Sequence, residues 1–359
     1  MRVLTATSVV LVHVVSNANP MQSVRANAIS ILLHYSREVF FVVSALVLAH
    51  AHYRQLRADG SLPGGAALRR RRIALIGWPY LVWSVLYAGL GLATAYSRHD
   101  LVRLPWTTLV GLAKGTDGYH MYFLLVSLEF TVVLPWFLKL LRATEGRHGR
   151  LLAASFAVQL VTWTWYHYVE QPDGGWRAVT GESSLLAYQF WLVLGGVVAL
   201  HLDRVHRALV RYRWYVLGAL ILAATSLEAV YFRAVAGGAS PEFAARTLQP
   251  ATIPFAFAAA AAVYLLAVGV ARIDRRWLRR LLSRGAFLSF GIYLVHPAVL
   301  TGLLRLVHAP RPHGGAAQAA LLTGGLAIVT LVLAVVVAAV LNRSRFSPAL
   351  VGRPRRDHR

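Results

Sequence analysis

The chain has no cysteine, and acidic residues are scarce: 14 Asp and Glu against 37 Lys and Arg in 359 residues. The first absence excludes disulfides, thiolate metal sites and a cysteine nucleophile. The second leaves a net charge of +23, a value that would suit a nucleic-acid binder. The positions of the cations point elsewhere. They gather in alternate loops, namely Arg69 to Arg72, Lys139 to Arg150, Arg204 to Arg213, Arg272 to Arg284 and the tail from Arg343 to Arg359, and the intervening loops are poorer in them. That alternation marks a multi-span membrane protein with its basic loops on the cytoplasmic side, so no nucleic-acid partner is expected. Also missing are a Gly-x-Ser-x-Gly elbow, a His-Glu-x-x-His zinc motif and a Walker loop, and no histidine is followed five positions on by Asp. Serine-hydrolase, zinc-peptidase, ATPase and His-x4-Asp acyltransferase chemistries are therefore not written here, and no metal is expected.

What the chain has in abundance is apolar sequence. Hydrophobic residues make up 57% and charged residues only 14%, outside the range of ordinary soluble globules. The apolar residues come in long runs such as Leu326 to Leu341, on the scale of the roughly 20 residues that cross a bilayer. Charge and turn residues divide the chain into spans near 2–18, 34–53, 73–96, 119–141, 151–168, 183–201, 213–232, 251–271, 284–305 and 318–341. The expectation is an all-α polytopic membrane protein, a bundle of about ten transmembrane helices with both termini cytoplasmic. Residues 1–342 would form one transmembrane domain in the lipid bilayer and 343–359 a basic cytoplasmic tail. Arg2 ahead of an apolar run reads as a retained first helix and not a signal peptide. Because that helix begins almost at Met1, the natural start is expected further upstream. Pro20 and the segment Gln171 to Gly175 are turn signals. Trp163, Trp165, Tyr166 and Tyr168 read as an interfacial aromatic belt, with a sugar-stacking platform as the alternative.

Ionisable groups in hydrocarbon are costly, which makes each a functional candidate. Arg2 and His13 are eleven residues apart, so at about 100° and 1.5 Å per residue they share one helix face and stand about 16 Å apart along it. The Arg would lie at the cytoplasmic surface and the His within the membrane. A satisfied core histidine and a snorkelling arginine are the plainer readings of the same two residues. Arg37 and Glu38 open the second span; as neighbours they do not share a face, and a direct ion pair is not implied. The fourth span opens with His120-Met121-Tyr122 and carries Glu129 near mid-membrane, where a carboxylate must be paired or protonated. His296 precedes Pro297, which could kink its helix and open a polar cavity. Histidine, arginine and glutamate in an apolar interior suit proton abstraction from a hydroxyl.

The pattern of these residues resembles the acyltransferase-3 family. Arg2, ten residues, then His13 matches the family's first helix. Glu38-Val39-Phe40-Phe41-Val42-Val43-Ser44-Ala45 is similar to the start of its second, with Glu for the commoner Asp and Ala for Gly. Arg69 to Arg72 followed by Trp78-Pro79-Tyr80 and Trp83-Ser84 matches the third. His120-Met121-Tyr122-Phe123-Leu124 through Pro135 matches the fourth, with Met121 for an aromatic, and Ser289 to Pro297 matches the ninth. The resemblance implies a bacterial inner-membrane O-acyltransferase of the stand-alone type, with no bound cofactor. It implies acyl-CoA as donor on the cytoplasmic side, and a hydroxyl of an extracytoplasmic glycan or secreted small molecule as acceptor. It also implies His13 as general base with Arg2 and Glu38 beside it, Arg69, Arg70, Arg71 and Arg72 toward the CoA phosphates, and His120, Tyr122, Glu129 and His296 in substrate binding. A polytopic transporter or lipid-linked glycan flippase is the rival reading, which an acyl-CoA requirement would separate. A structural subunit, tolerant of changes at His13, Glu38 and Glu129, is the third.

Overall fold

A backbone inside hydrocarbon must satisfy its own N–H and C=O groups, and an uninterrupted apolar run does so as a helix. The computed structural model describes residues 1–59, 65–92, 98–169, 181–307 and 316–353, and every regular element among them is helical. In chain order come α1 (Arg2–Ala18), α2 (Val24–Leu33), α3 (Tyr35–Asp59), α4 (Gly65–Leu92), α5 (Arg98–Lys114), α6 (Tyr122–Ala143) and α7 (His148–Thr164). α7 runs on into a π-turn, Trp165–Val169, and a 3-10 turn, Leu185–Tyr188, leads into α8 (Gln189–Leu200). There follow α9 (Leu202–Arg211), α10 (Arg213–Ala236), α11 (Pro241–Ala244), α12 (Thr252–Ala271), α13 (Arg276–Leu306), α14 (Ala316–Arg343) and α15 (Ser347–Val351).

The all-helical, multi-pass expectation holds. Among the described residues seven helices are long and apolar enough to cross a membrane, or eight if the bent pair Leu185–Leu200 and Leu202–Arg211 counts as one span. The expected spans 2–18 and 151–168 correspond to α1 and α7, each only 17 residues long. Several local expectations change. Residues assigned to the loop after the first span form α2, started by Ser23, whose hydroxyl accepts the Ala26 N–H. Residues between the third and fourth spans form α5. Trp163 is not part of a belt: it is fully buried and donates its indole N–H to the Ala187 carbonyl at 2.8 Å, while Trp165 and Tyr168 are exposed. α13 stays helical through Pro297. The turn segment Gln171 to Gly175 lies outside the described residues.

The chain divides into two compact units, residues 1–47 with 191–336, and residues 48–190 with 337–359. In the first, α1 packs on α2 and α13, and α10 packs on α12. Ile31, Leu227, Tyr231 and Phe255 form a buried core there, and Val39, Val43 and Val263 form a second cluster. α8 meets α3 at Gly195, where a Cβ would stand 2.2 Å from the Val42 carbonyl oxygen and 3.0 Å from the Ala45 Cβ. Small residues allow this approach of two apolar helices.

In the second unit α4 packs on α5, α6 and α15, and Trp83 donates its indole N–H to the Leu350 carbonyl at 2.8 Å. The Tyr53 hydroxyl donates to the Glu145 carboxylate, with Arg57 3.5 Å away. That hydrogen bond, helped by the nearby cations, holds the Glu145 carboxyl below its ordinary value. α7 is stitched to the turn before α8 by amide side chains. Ser155 donates to the Gln189 side chain at 2.6 Å, and Gln189 donates back to the Ser155 carbonyl at 2.7 Å. Gln159 donates to the Ala187 carbonyl at 2.6 Å and accepts the Phe190 N–H at 3.2 Å.

The close approach at Gly195 gives a direct test. Gly195→Ala forces α8 off α3 and should cost about 1–3 kcal/mol, seen as a lower thermal midpoint in nanodiscs. Gly218→Ala, on α10 where a Cβ meets nothing within 4 Å, should leave the midpoint unchanged or slightly higher.

Candidate active site

The site in the first unit starts from α1. Its buried side is set by Thr5, Ala6, Ser8, Val9, Val10, Val12, Val14 and Val15, and small side chains at these positions let α1 lie close on α13. At Gly285 a Cβ would be 3.1 Å from the Val3 side chain. In this seam the half-buried His13 stacks on His296 of α13, with ring centroids 5.3 Å apart and planes 27° apart. His296 is wholly buried, and its Nδ1 lies 3.2 Å from the Ile292 carbonyl oxygen. A carbonyl can only accept, so Nδ1 carries the proton in that bond. Tyr293 lies 5.9 Å from the His296 ring and 6.5 Å from Phe40 of α3. The two imidazoles thus form one end of an aromatic wall. Arg2 is exposed at the opposite end of α1, about 16 Å from His13 by helical rise.

Arg37 and Glu38 form an ion pair that their adjacency in sequence did not imply. Both are buried, and Glu38 Oε1 accepts from Arg37 Nε at 3.1 Å and Nη2 at 2.7 Å. Nη1 donates to the Thr247 hydroxyl at 2.9 Å. Neighbouring residues leave a helix about 100° apart, but an arginine stem is long enough to fold its guanidinium back. Burial without water then makes pairing the only low-cost state for either charge. The segment carrying Thr247 is shaped for this. Gln249 donates to the Ala244 and Arg246 carbonyls at 3.0 and 2.6 Å, and Thr252 to those of Thr247 and Gln249 at 3.1 and 2.7 Å. Two further polar links join α1 to its neighbours: Ser8 with Tyr35 at 2.9 Å, and Ser16 with Ser30 at 3.2 Å, the latter hydroxyl 3.3 Å from His34 Nε2. Nothing singled out these partners in the sequence beyond their polarity within apolar segments.

The remaining predicted residues lie in the second unit. His120 is buried, its ring edge-on to Tyr87 at 4.9 Å and to Tyr119 at 5.6 Å. Asp117, in the loop just before it, carried no signal in the sequence; burial pushes its carboxyl above the ordinary value. Tyr122 stacks on the buried Tyr188 at 6.5 Å. Glu129 is half-buried and accepts the Leu185 N–H at 3.0 Å, so its carboxylate caps the 3-10 turn. Arg70 and Arg71 are exposed at the start of the α4 span and Arg72 is half-buried, while the Arg69 side chain lies outside the described residues. The predicted residues therefore fall into two sets: Arg2, His13, Glu38 and His296 in one unit, and His120, Tyr122, Glu129 and the α4 arginines in the other. Among the described residues no group of three or more His, Asp or Glu is placed to hold a metal ion. What the first set can do chemically is accept a proton. An imidazole that is half-exposed and backed by a second ring is a suitable general base for a hydroxyl.

A protein-family model described as an acyltransferase domain, of the acyltransferase-3 type, matches residues 1–343. No curated protein and no solved structure matches the chain.

The buried ion pair predicts an unequal response to mutation. Arg37→Met leaves Glu38 charged and unpaired and should cost about 3–5 kcal/mol. Arg37→Met with Glu38→Met removes both charges and should recover most of that loss. Denaturant unfolding in micelles measures it, and a double variant no more stable than the single would show that charge is not what the pair provides.

Proposed function

As a member of the acyltransferase-3 family this chain is a membrane acyltransferase, and we propose that it transfers an acyl group from acyl-CoA to a hydroxyl with His13 as general base. The observation that carries this reading is the His13–His296 stack in the seam between α1 and α13. The hydroxyl oxygen of the acceptor attacks the thioester carbonyl carbon while its proton passes to the His13 imidazole. The carbon–sulfur bond then breaks, the thiolate of CoA takes the proton back from the imidazolium, and an ester remains on the acceptor. His296, its Nδ1–H held by the Ile292 carbonyl, keeps the face of His13 it covers from turning. Phe40 and Tyr293 supply an apolar flank for the acyl group. Glu38 acts through Arg37, fixing the start of α3 in the same unit as α1.

Donor and acceptor are assigned by charge and side. CoA is polyanionic, and its phosphates suit guanidinium groups, either exposed Arg2 of the first unit or exposed Arg70 and Arg71 with half-buried Arg72 of the second. In this reading these residues lie at the cytoplasmic face of a bacterial inner membrane, a sidedness that the alternate basic loops support. The acceptor, a glycan or a secreted small molecule, then meets His13 from the other side.

The test is CoA release by the purified protein from acetyl- and succinyl-CoA, with and without cell-envelope glycan. His13→Ala should lower the rate by about 10²–10⁴ without loss of expression, and Arg2→Ala should raise the donor KM more than the acceptor KM. A full rate in His13→Ala would remove it as the base. No turnover of any acyl-CoA by folded protein would favour the transporter reading.

A further inference from the structure

Between two helices of the first unit the chain makes a sharp detour. After Leu200 it turns through 96° into α9, and from α9 it passes directly into α10, one of the membrane-spanning helices. α8 with α9 is apolar enough to be a broken span. If α8 follows the bilayer normal, a helix at 96° to it lies along the membrane surface. Its side chains are sorted for that position. At about 100° per residue, Arg204, Arg207 and Arg211 fall within about 60° of one another, Leu202, Val205 and Leu209 fill the opposite arc, and the exposed Ala208 borders the basic stripe. Asp203 borders the basic stripe. Exposure follows the same division: Arg204, Arg207 and Arg211 are exposed, whereas Leu202, Val205, His206 and Leu209 are half-buried, and no residue of α9 is fully buried.

Three observations fix what this helix rests against. His206 Nδ1 lies 3.0 Å from the Tyr264 hydroxyl of α12, which ties α9 to the membrane-spanning body. Tyr212, Trp214 and Tyr215, where α9 gives way to α10, are 49%, 69% and 78% exposed, and Trp and Tyr in such positions belong at the headgroup level. Arg204, Arg207 and Arg211 form no ion pair among the described residues. A short helix with an apolar face, a guanidinium face and flanking spans has lipid beside it, and guanidinium groups bind phosphate oxygens in bidentate fashion.

We propose that α9 is an interfacial helix whose Arg204, Arg207 and Arg211 dock the phosphate headgroups of anionic phospholipids. The stripe lies on the arc away from His206, which ties α9 to α12, so lipid bound there braces the bend after α8 from its other side. This assignment does not depend on acyl transfer.

The absence of cysteine makes a site-directed test direct. Single cysteines replacing Val205, Arg207, Ala208, Leu209 and Arg211 in the full chain are spin-labelled and read in nanodiscs of mixed phosphatidylglycerol and phosphatidylcholine. The expected result is lipid-type oxygen accessibility at 205 and 209, aqueous nickel accessibility at 207 and 211, and no steady change of depth along the helix. Depth that increases steadily from 205 to 211, or uniformly aqueous labels, overturns the in-plane placement. In micelles, phosphatidylglycerol should raise the thermal midpoint of the unlabelled protein. Phosphatidylcholine and inorganic phosphate at equal concentration should not. The variant Arg204→Gln/Arg207→Gln/Arg211→Gln should lose the increment, and the corresponding triple Lys variant should keep at least part of it. An undiminished increment in the Gln variant, or an equal effect of inorganic phosphate, overturns the lipid assignment. If the Gln variant does not fold, the Lys variant with the depth scan decides, and loss of the increment with lysines in place counts against docking by charge.

Discussion

Two opposite charges shut away from water hold each other in place, and much of the first unit is arranged around that fact. Arg37 and Glu38 are both buried, and either charge without the other would be costly there. The third donor of the guanidinium reaches Thr247, which binds the beginning of α3 to the segment between α11 and α12. That segment contributes Ala245 to the cluster of Ile31, Tyr231 and Phe255, so the polar clamp and the apolar core share a boundary. α1 joins the same frame through Ser8 and Tyr35. The helix that carries His13 is thereby tied to the same frame as the ion pair.

The same frame explains why imidazole, and not carboxylate, carries the proposed chemistry. The intramembrane carboxylates that stood out in the sequence are committed elsewhere, Glu38 to Arg37 and Glu129 to the Leu185 N–H. Each of these carboxylates is held by the fold as a hydrogen-bond acceptor within its own unit. His13 is half-exposed and backed by a ring that brings no net charge when neutral.

The sequence made the membrane class legible because long apolar runs and alternate basic loops report directly on solvent and sidedness. It also placed Arg2 and His13 on one face of one helix, a relation that depends only on helical pitch. It did not show that His13 meets His296, since residues so distant in sequence meet through packing that no local pattern encodes. The pairing of Arg37 with Glu38 was not implied because the rule about which neighbours face each other ignores side-chain reach and the penalty of an unpaired buried charge. α2 and α5 were missed because Asn, Ser and charged residues look like loop when propensity is read without a cap such as Ser23. Trp163 was taken for a belt residue because burial of an indole depends on an acceptor, the Ala187 carbonyl, that appears only when the turn before α8 folds back.

That fold-back also bears on how the chain enters the bilayer. Neither α7 nor α8 is a strong span by itself, and each carries amides that hydrocarbon would reject: Gln159 on one and Gln189 on the other. Their hydrogen bonds are exchanged across the pair, through Ser155, Ala187 and Phe190. A segment released singly would have to bring those groups into lipid unsatisfied. Insertion of α7 is therefore favoured once residues 187–190 have been synthesised and can take up those bonds.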